Sequence, residues 1–127
     1  GEMCQNRIMF KQFIQENAVD IVQIDSCRIG GLNEVLGVLL LAHKYRKPVW
    51  PHAGGVGLCE YVQHISMIDY LLISCEKESK RIEYVDHLHE HFINPCKIDD
   101  GKYMAPSEPG FSIEMKPETF TNFLHLK

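Results

Sequence analysis

Two residues stand where a short apolar run ends, and their types suit proton transfer. Asp25 closes the run Asp20-Ile-Val-Gln-Ile-Asp25, and His52 closes Lys47-Pro-Val-Trp-Pro-His52. A carboxylate that accepts one imidazole N–H fixes the tautomer and raises the basicity of the other ring nitrogen. If the two run ends are neighbours, Asp25 and His52 form an acid/base dyad. An Asp in such a place is also a common loop cap, and a lone His after Pro is often a surface or hydrogen-bonded residue, so spacing alone leaves both readings open. Glu2 precedes every predicted element, and nothing intrinsic marks it as a ligand.

Other groups carry weaker signals. His87, His89 and His91 alternate with Leu88 and Glu90, so in a strand their imidazoles would share one face, as a metal site requires. The five cysteines, Cys4, Cys27, Cys59, Cys75 and Cys96, are an odd number without C-x-x-C spacing. That pattern fits free thiols better than a disulfide framework or a zinc site, and a reducing, intracellular compartment. Cys27 and Cys59 fall near strand ends or loops and read as small core residues. Gly54-Gly-Val-Gly57 lacks the Lys-Ser/Thr ending of a phosphate loop and the full dinucleotide fingerprint, which removes both nucleotide readings.

The elements that must position these groups follow a repeating order. Arg7 to Glu16 reads as a short amphipathic helix. Asp20 to Asp25 reads as a strand, Ser26 to Gly31 as its loop, and Leu32 to Arg46 as an apolar helix. Lys47 to His52 is a second buried strand, Ala53 to Gly57 its loop and Leu58 to Ile68 its helix, and Tyr70 to Cys75 looks like a third strand. Parallel neighbours need a crossover between them, so this alternation argues for a parallel sheet or (β/α) barrel, where active sites lie at the carboxyl ends of the strands. After Glu76 the alternation stops. Asp100-Gly101 between Cys96-Lys-Ile98 and Lys102-Tyr-Met104 signals a hairpin, and Pro117 opens a last short helix through Phe120 and Phe123.

Composition narrows the partners. The 127 residues are 45% hydrophobic and 24% charged, the balance of a globular domain. The net charge is -4 and Lys and Arg are scattered, so the chain has no electrostatic footprint for nucleic acid or a membrane surface. A small molecule is the expected partner. Val35 to Ala42, the longest apolar run, is far shorter than the roughly 20 residues that span a bilayer.

Three stretches together resemble the enolase superfamily, in its mandelate racemase-like subgroup: Gly1-Glu2; Val22-Gln-Ile-Asp25 with Arg28-Ile-Gly-Gly31; and Pro51-His-Ala-Gly-Gly-Val-Gly-Leu-Cys-Glu60. Ile82-Glu-Tyr-Val-Asp-His-Leu-His-Glu-His-Phe92 and Ala105-Pro-Ser-Glu-Pro-Gly-Phe111 look like the L-fuconate dehydratases, which include a vertebrate mitochondrial branch. The resemblance implies an α/β fold, the C-terminal part of a modified (β/α) TIM-type barrel, over residues 1–92. Residues 93–127 would form a tail that returns to a capping domain. It further implies Mg²⁺ bound by carboxylates at three successive strand ends, Glu2 matching the last of them. Asp25 and His52 match the family's dyad, with His52 as general acid to the leaving 3-hydroxyl. Glu83 matches the carboxylate that faces the substrate, which His52 and Glu2 would also contact. The implied reaction is dehydration of a sugar acid, L-fuconate to 2-dehydro-3-deoxy-L-fuconate, by a mitochondrial enzyme that can assemble as a homo-oligomer. The family's oxygen-ligated metal turns the histidine triplet toward a structural role.

One departure from the pattern is Met3, where bacterial relatives tend to carry His; it leaves the carboxylate of Glu2 untouched. The same placement sets the other two metal ligands, a lysine base and the capping domain upstream of Gly1, and the start without Met looks like the middle of a longer chain. Three strands cannot close a barrel, so these residues alone are expected to be inactive and to aggregate. The alternatives are a non-catalytic truncated fragment and a dehydratase or racemase for another sugar acid.

Overall fold

The computed structural model describes residues 1–123; residues 124–127, the end of the expected tail, lie outside the described residues. Helix α1 (Arg7–Gln15) begins where Asn6 adopts extended backbone, and its side-chain oxygen accepts from the N–H groups of Ile8 and Met9 at 3.0 Å. The N–H of Arg7 finds Glu34 Oε2 at 2.8 Å, and the Arg7 guanidinium meets Glu34 Oε1 at 2.7 Å. One carboxylate thus covers the first turn of α1 and ties it to helix α2 (Leu32–Lys44). Phe10 and Ile14, four residues apart, turn inward, whereas Ile8 and Phe13 stay exposed.

Along α2, Val35, Val38, Leu39 and Ala42 make the buried stripe and Leu40 points out. Gly31, just before it, has φ +92°, a left-handed value that a side chain rarely tolerates. Helix α3 (Leu58–Ile68) buries Leu58, Cys59, Val62 and Ile65. It then widens into a π-helical stretch, Asp69–Ser74, that ends at Cys75 with φ +54°. This corrects the third strand expected over Tyr70 to Cys75. A short apolar run has no periodicity that separates a strand from a continuing helix. Here Asp69 is buried and paired with Lys80, and Ser74 Oγ donates to the Asp69 carbonyl at 3.1 Å, which holds the helical turn.

The two expected barrel strands are extended and parallel, with Val22 bridged to Val49. Val22 N–H donates to Pro48 O at 2.9 Å, Trp50 N–H to Val22 O at 3.0 Å and His52 N–H to Ile24 O at 2.9 Å. The pairing does not lengthen toward Asp20 because Pro48 has no N–H to donate. The third extended segment comes later in the chain than expected, where Glu83 N–H reaches Pro51 O at 3.4 Å. At the opposite side, Gly1 lies so close to Gln23 that a Cβ on it would fall 2.9 Å from the Gln23 carbonyl. Four chain segments therefore lie side by side in the order 1, 23, 51, 83, with α1 and α2 packed on one another and on Val22, Ile24 and Val49.

Beyond Phe92 the chain forms the expected hairpin as strands β1 (Ile98–Asp99) and β2 (Lys102–Tyr103), turning at Asp100 and Gly101 with positive φ. It then returns, with Ile93 N–H bonded to Glu114 O at 2.9 Å and Lys116 N–H to His91 O at 2.8 Å. Helix α4 (Pro117–Phe123) follows. No helix among the described residues is long and apolar enough to cross a membrane.

Candidate active site

Each expected site residue sits on one of the four aligned segments: Asp25 and His52 close apolar runs, whereas Glu2 directly follows Gly1 and Glu83 lies between Ile82 and Tyr84. Glu2, Asp25 and His52 converge: one side-chain donor atom from each lies within 4.8 Å of the others. Asp25 is buried, with Oδ1 accepting the Cys27 N–H at 2.8 Å and Oδ2 lying 2.9 Å from Arg28 Nε. Arg28 also reaches Glu2 Oε1 at 3.5 Å, so one guanidinium offsets two carboxylates. Sequence reasoning quoted Arg28 as part of a motif and missed its role as the counter-ion between them. Its position three residues after Asp25, on a turn, is the signal that pointed to it.

His52 is partly buried, and its Nδ1 lies 2.7 Å from Glu83 Oε2. The approach is off the direction an N–H needs, so this nitrogen has no aligned hydrogen bond among the described residues. Glu83 Oε2 instead accepts the Ala53 N–H at 2.9 Å, which fixes the carboxylate over the imidazole. The Asp25 and His52 side chains are neighbours without a direct hydrogen bond among the described residues. The loop after His52 is shaped around its ring: a Cβ on Gly54 would stand 2.5 Å from His52 Cε1 and 3.0 Å from Nε2.

The donor set suits a hard cation in one place. Asp25 has both oxygens engaged, whereas Glu2 is partly exposed and offers carboxylate oxygens of the kind Mg²⁺ prefers. Glu2 therefore fits as a single oxygen ligand, with the His52 imidazole beside it.

The other candidates part company. His87 is exposed, His91 Nδ1 is 3.1 Å from Thr119 Oγ1, and His89 turns inward to Glu60. The three do not share a face, because residues 89–91 form a 3₁₀ turn instead of a strand. Cys27 is exposed rather than a core residue, while Cys59 is buried as expected, and all five cysteines are free.

Comparison with known proteins places this arrangement in a class. The chain belongs to the enolase C-terminal domain-like family, whose model matches residues 1–119, and its fold is the C-terminal part of that family's (β/α) barrel. It is 58% identical over 123 residues to L-galactonate dehydratase of Hypocrea jecorina, covering 97% of this chain and 27% of that protein. It is 56% identical over 119 residues to mitochondrial enolase superfamily member 1 of Homo sapiens, covering 94% and 27%. The crystal structure of that human protein superposes with a TM-score of 0.90 at 55% identity, over 94% of this chain and 27% of its own. L-talarate/galactarate dehydratase of Salmonella typhimurium, liganded with Mg and L-lyxarohydroxamate, superposes at 0.76 with 25% identity, over 93% and 27%. The chain thus spans about a quarter of the length of these relatives.

Proposed function

We propose that the protein carrying this chain is an acid-sugar dehydratase that converts L-fuconate to 2-dehydro-3-deoxy-L-fuconate and water. The observation that carries the reading is the convergence of Glu2, Asp25 and His52 within 4.8 Å, with Glu83 at the imidazole. L-Fuconate is L-galactonate without its 6-hydroxyl, so the reading is chemically close to the substrate named for the fungal relative. Residues 1–92 supply the last part of the barrel and 93–127 the tail that packs on a capping domain. The names of the vertebrate relatives support a mitochondrial location.

His52 donates a proton to the departing 3-hydroxyl, then takes up the proton that the enol hydroxyl loses and delivers it to C3 as the ketone forms. Asp25, held by Arg28, lies beside the imidazole and orients it. Glu83, anchored by the Ala53 N–H, hydrogen-bonds the substrate. Glu2 would hold Mg²⁺, which when bound polarises the substrate carboxylate and lowers the cost of removing the adjacent proton. The base for that proton and the remaining metal ligands come from the rest of the protein.

Keto-acid formation from L-fuconate, L-galactonate, L-talarate and galactarate with Mg²⁺, measured on the full-length protein, tests the reading. His52→Asn is expected to lower kcat by about 10²- to 10⁴-fold, the usual worth of a positioned acid/base group. Turnover of L-fuconate that survives this change would remove His52 from the chemistry. Turnover of a different acid alone would move the substrate assignment within the same reaction type.

A further inference from the structure

A second cluster, separate from the strand-end carboxylates, joins three parts of the chain. Cys59 lies in the first turn of α3, His89 in the 3₁₀ turn after the Glu83 segment, and Cys96 in the tail just before β1. The two sulfurs and one imidazole nitrogen lie within 4.8 Å of one another. The Cys96 Sγ to His89 Nδ1 separation is 3.8 Å. A tetrahedral ion with metal–sulfur bonds of about 2.3 Å and metal–nitrogen bonds of about 2.0 Å spaces its ligands roughly 3.5 to 3.8 Å apart. One edge of the cluster already has that length, and the other two are no longer than 4.8 Å.

Two further observations point to a ligand here. Glu60 is fully buried at 0% exposure, and its Oε2 has no hydrogen-bond partner among the described residues. A buried carboxylate oxygen left without a partner is costly, and such atoms are uncommon unless something completes them. Its other oxygen is turned into the cluster, 2.5 Å from His89 Nδ1 and 3.2 Å from the Cys96 N–H. His89 is also oriented as metal-binding histidines are, because its Nε2 lies 2.8 Å from the Val85 carbonyl. An N–H donated there leaves Nδ1 as the nitrogen that faces the two sulfurs. The thiol of Cys59 has only weak contacts, 3.7 Å to the carbonyls of Ala53 and Val85.

We propose that Cys59, His89 and Cys96 hold a structural Zn²⁺ distinct from the Mg²⁺ position at Glu2, with the buried Glu60 carboxylate beside them able to complete the set once its side chain shifts off His89. Two sulfurs, an imidazole and one carboxylate are a borderline-soft set that selects Zn²⁺ over Mg²⁺. Binding replaces the two thiol protons and the proton shared between His89 and Glu60, all of which leave to solvent with no change of oxidation state. The ion would clip the start of α3, the segment that follows Glu83 and the tail to one another. It would not depend on the sugar-acid reading.

The test uses the full-length protein, freed of metal, reduced with a phosphine and saturated with Mg²⁺ so that the oxygen site is filled. Co²⁺ is then titrated in. The expected result is one equivalent bound, with thiolate-to-cobalt charge-transfer absorption and tetrahedral visible bands that Zn²⁺ displaces. Cys59→Ser, Cys96→Ser and His89→Gln should each weaken binding by about 10- to 100-fold or more while circular dichroism shows a folded protein. Glu60→Gln should weaken it less, and Cys27→Ser and His87→Gln should leave it unchanged. Absence of thiolate bands in the folded, reduced wild-type protein would overturn the site. So would bands that survive in Cys96→Ser or vanish in Cys27→Ser.

Discussion

The imidazole of His52 is held as much by what is missing beside it as by what touches it. A methyl on Gly54 would overlap Cε1 at 2.5 Å, and the close ring leaves it no room to move aside without shifting the imidazole. Gly54→Ala is therefore expected to displace the imidazole while every charged group of the site remains. Misplacement of a catalytic group by about 1 Å costs on the order of 10²-fold. Steady-state kinetics on the full-length protein should show kcat lowered by about that factor with a smaller change in KM. An unchanged kcat would mean that the ring is free to move without loss.

At the scale of elements, the tail is fastened to α3 partly through a histidine. His64 Nε2 lies 3.1 Å from Ser112 Oγ, and Phe111 meets the same ring edge-on at 5.9 Å between centroids. Burial lowers the pKa of His64 below its usual 6.5, more than the hydrogen bond at the Phe111 backbone raises it. The unfolded chain then binds the proton more readily than the folded one. This contribution to stability is complete above 6.5 and is lost as pH falls from 6.5 through the lower, folded-state value. Protection of the amides around residues 111–112, corrected for the intrinsic exchange rate at each pH, should therefore fall on mild acidification, and His64→Gln, which cannot titrate, should remove that part of the pH dependence. Protection that is equally pH-dependent in His64→Gln would place the effect elsewhere.

For the molecule as a whole, several large apolar side chains face water. Leu71 and Leu72, consecutive on the π-helical stretch, are 58% and 76% exposed, and Leu40, Phe111, Phe120 and Phe123 are exposed as well. Adjacent large apolar side chains open to water favour association. Residues 1–127 produced alone should self-associate in light scattering at concentrations where the full-length protein stays dispersed. A monodisperse monomer would show that this surface is tolerated. Leu40 belongs to the exposed set although its neighbours Val35 and Leu39 are buried, because α2 turns it away from the strands by one helical step.

The amino-acid order determined the local units. Helices near 7–15, 32–44 and 58–68 and the hairpin at Asp100-Gly101 follow from apolar spacing and turn residues that act over a few positions. It also showed Asp25 and His52 as polar ends of apolar runs, because the alternation of β and α units sets where such ends must fall. Three matters were decided only in three dimensions. The run after Ile68 became a widened helix, because the buried Asp69 and its partner Lys80 outweigh the strand-like composition. Arg28 became the shared counter-ion of Glu2 and Asp25, since Glu2 is far away in the chain and near only when the segments align. The meeting of Cys59, His89 and Cys96 has no mark in their spacing, for a contact that closes so long a loop is fixed by how the tail packs on α3 and not by any local rule.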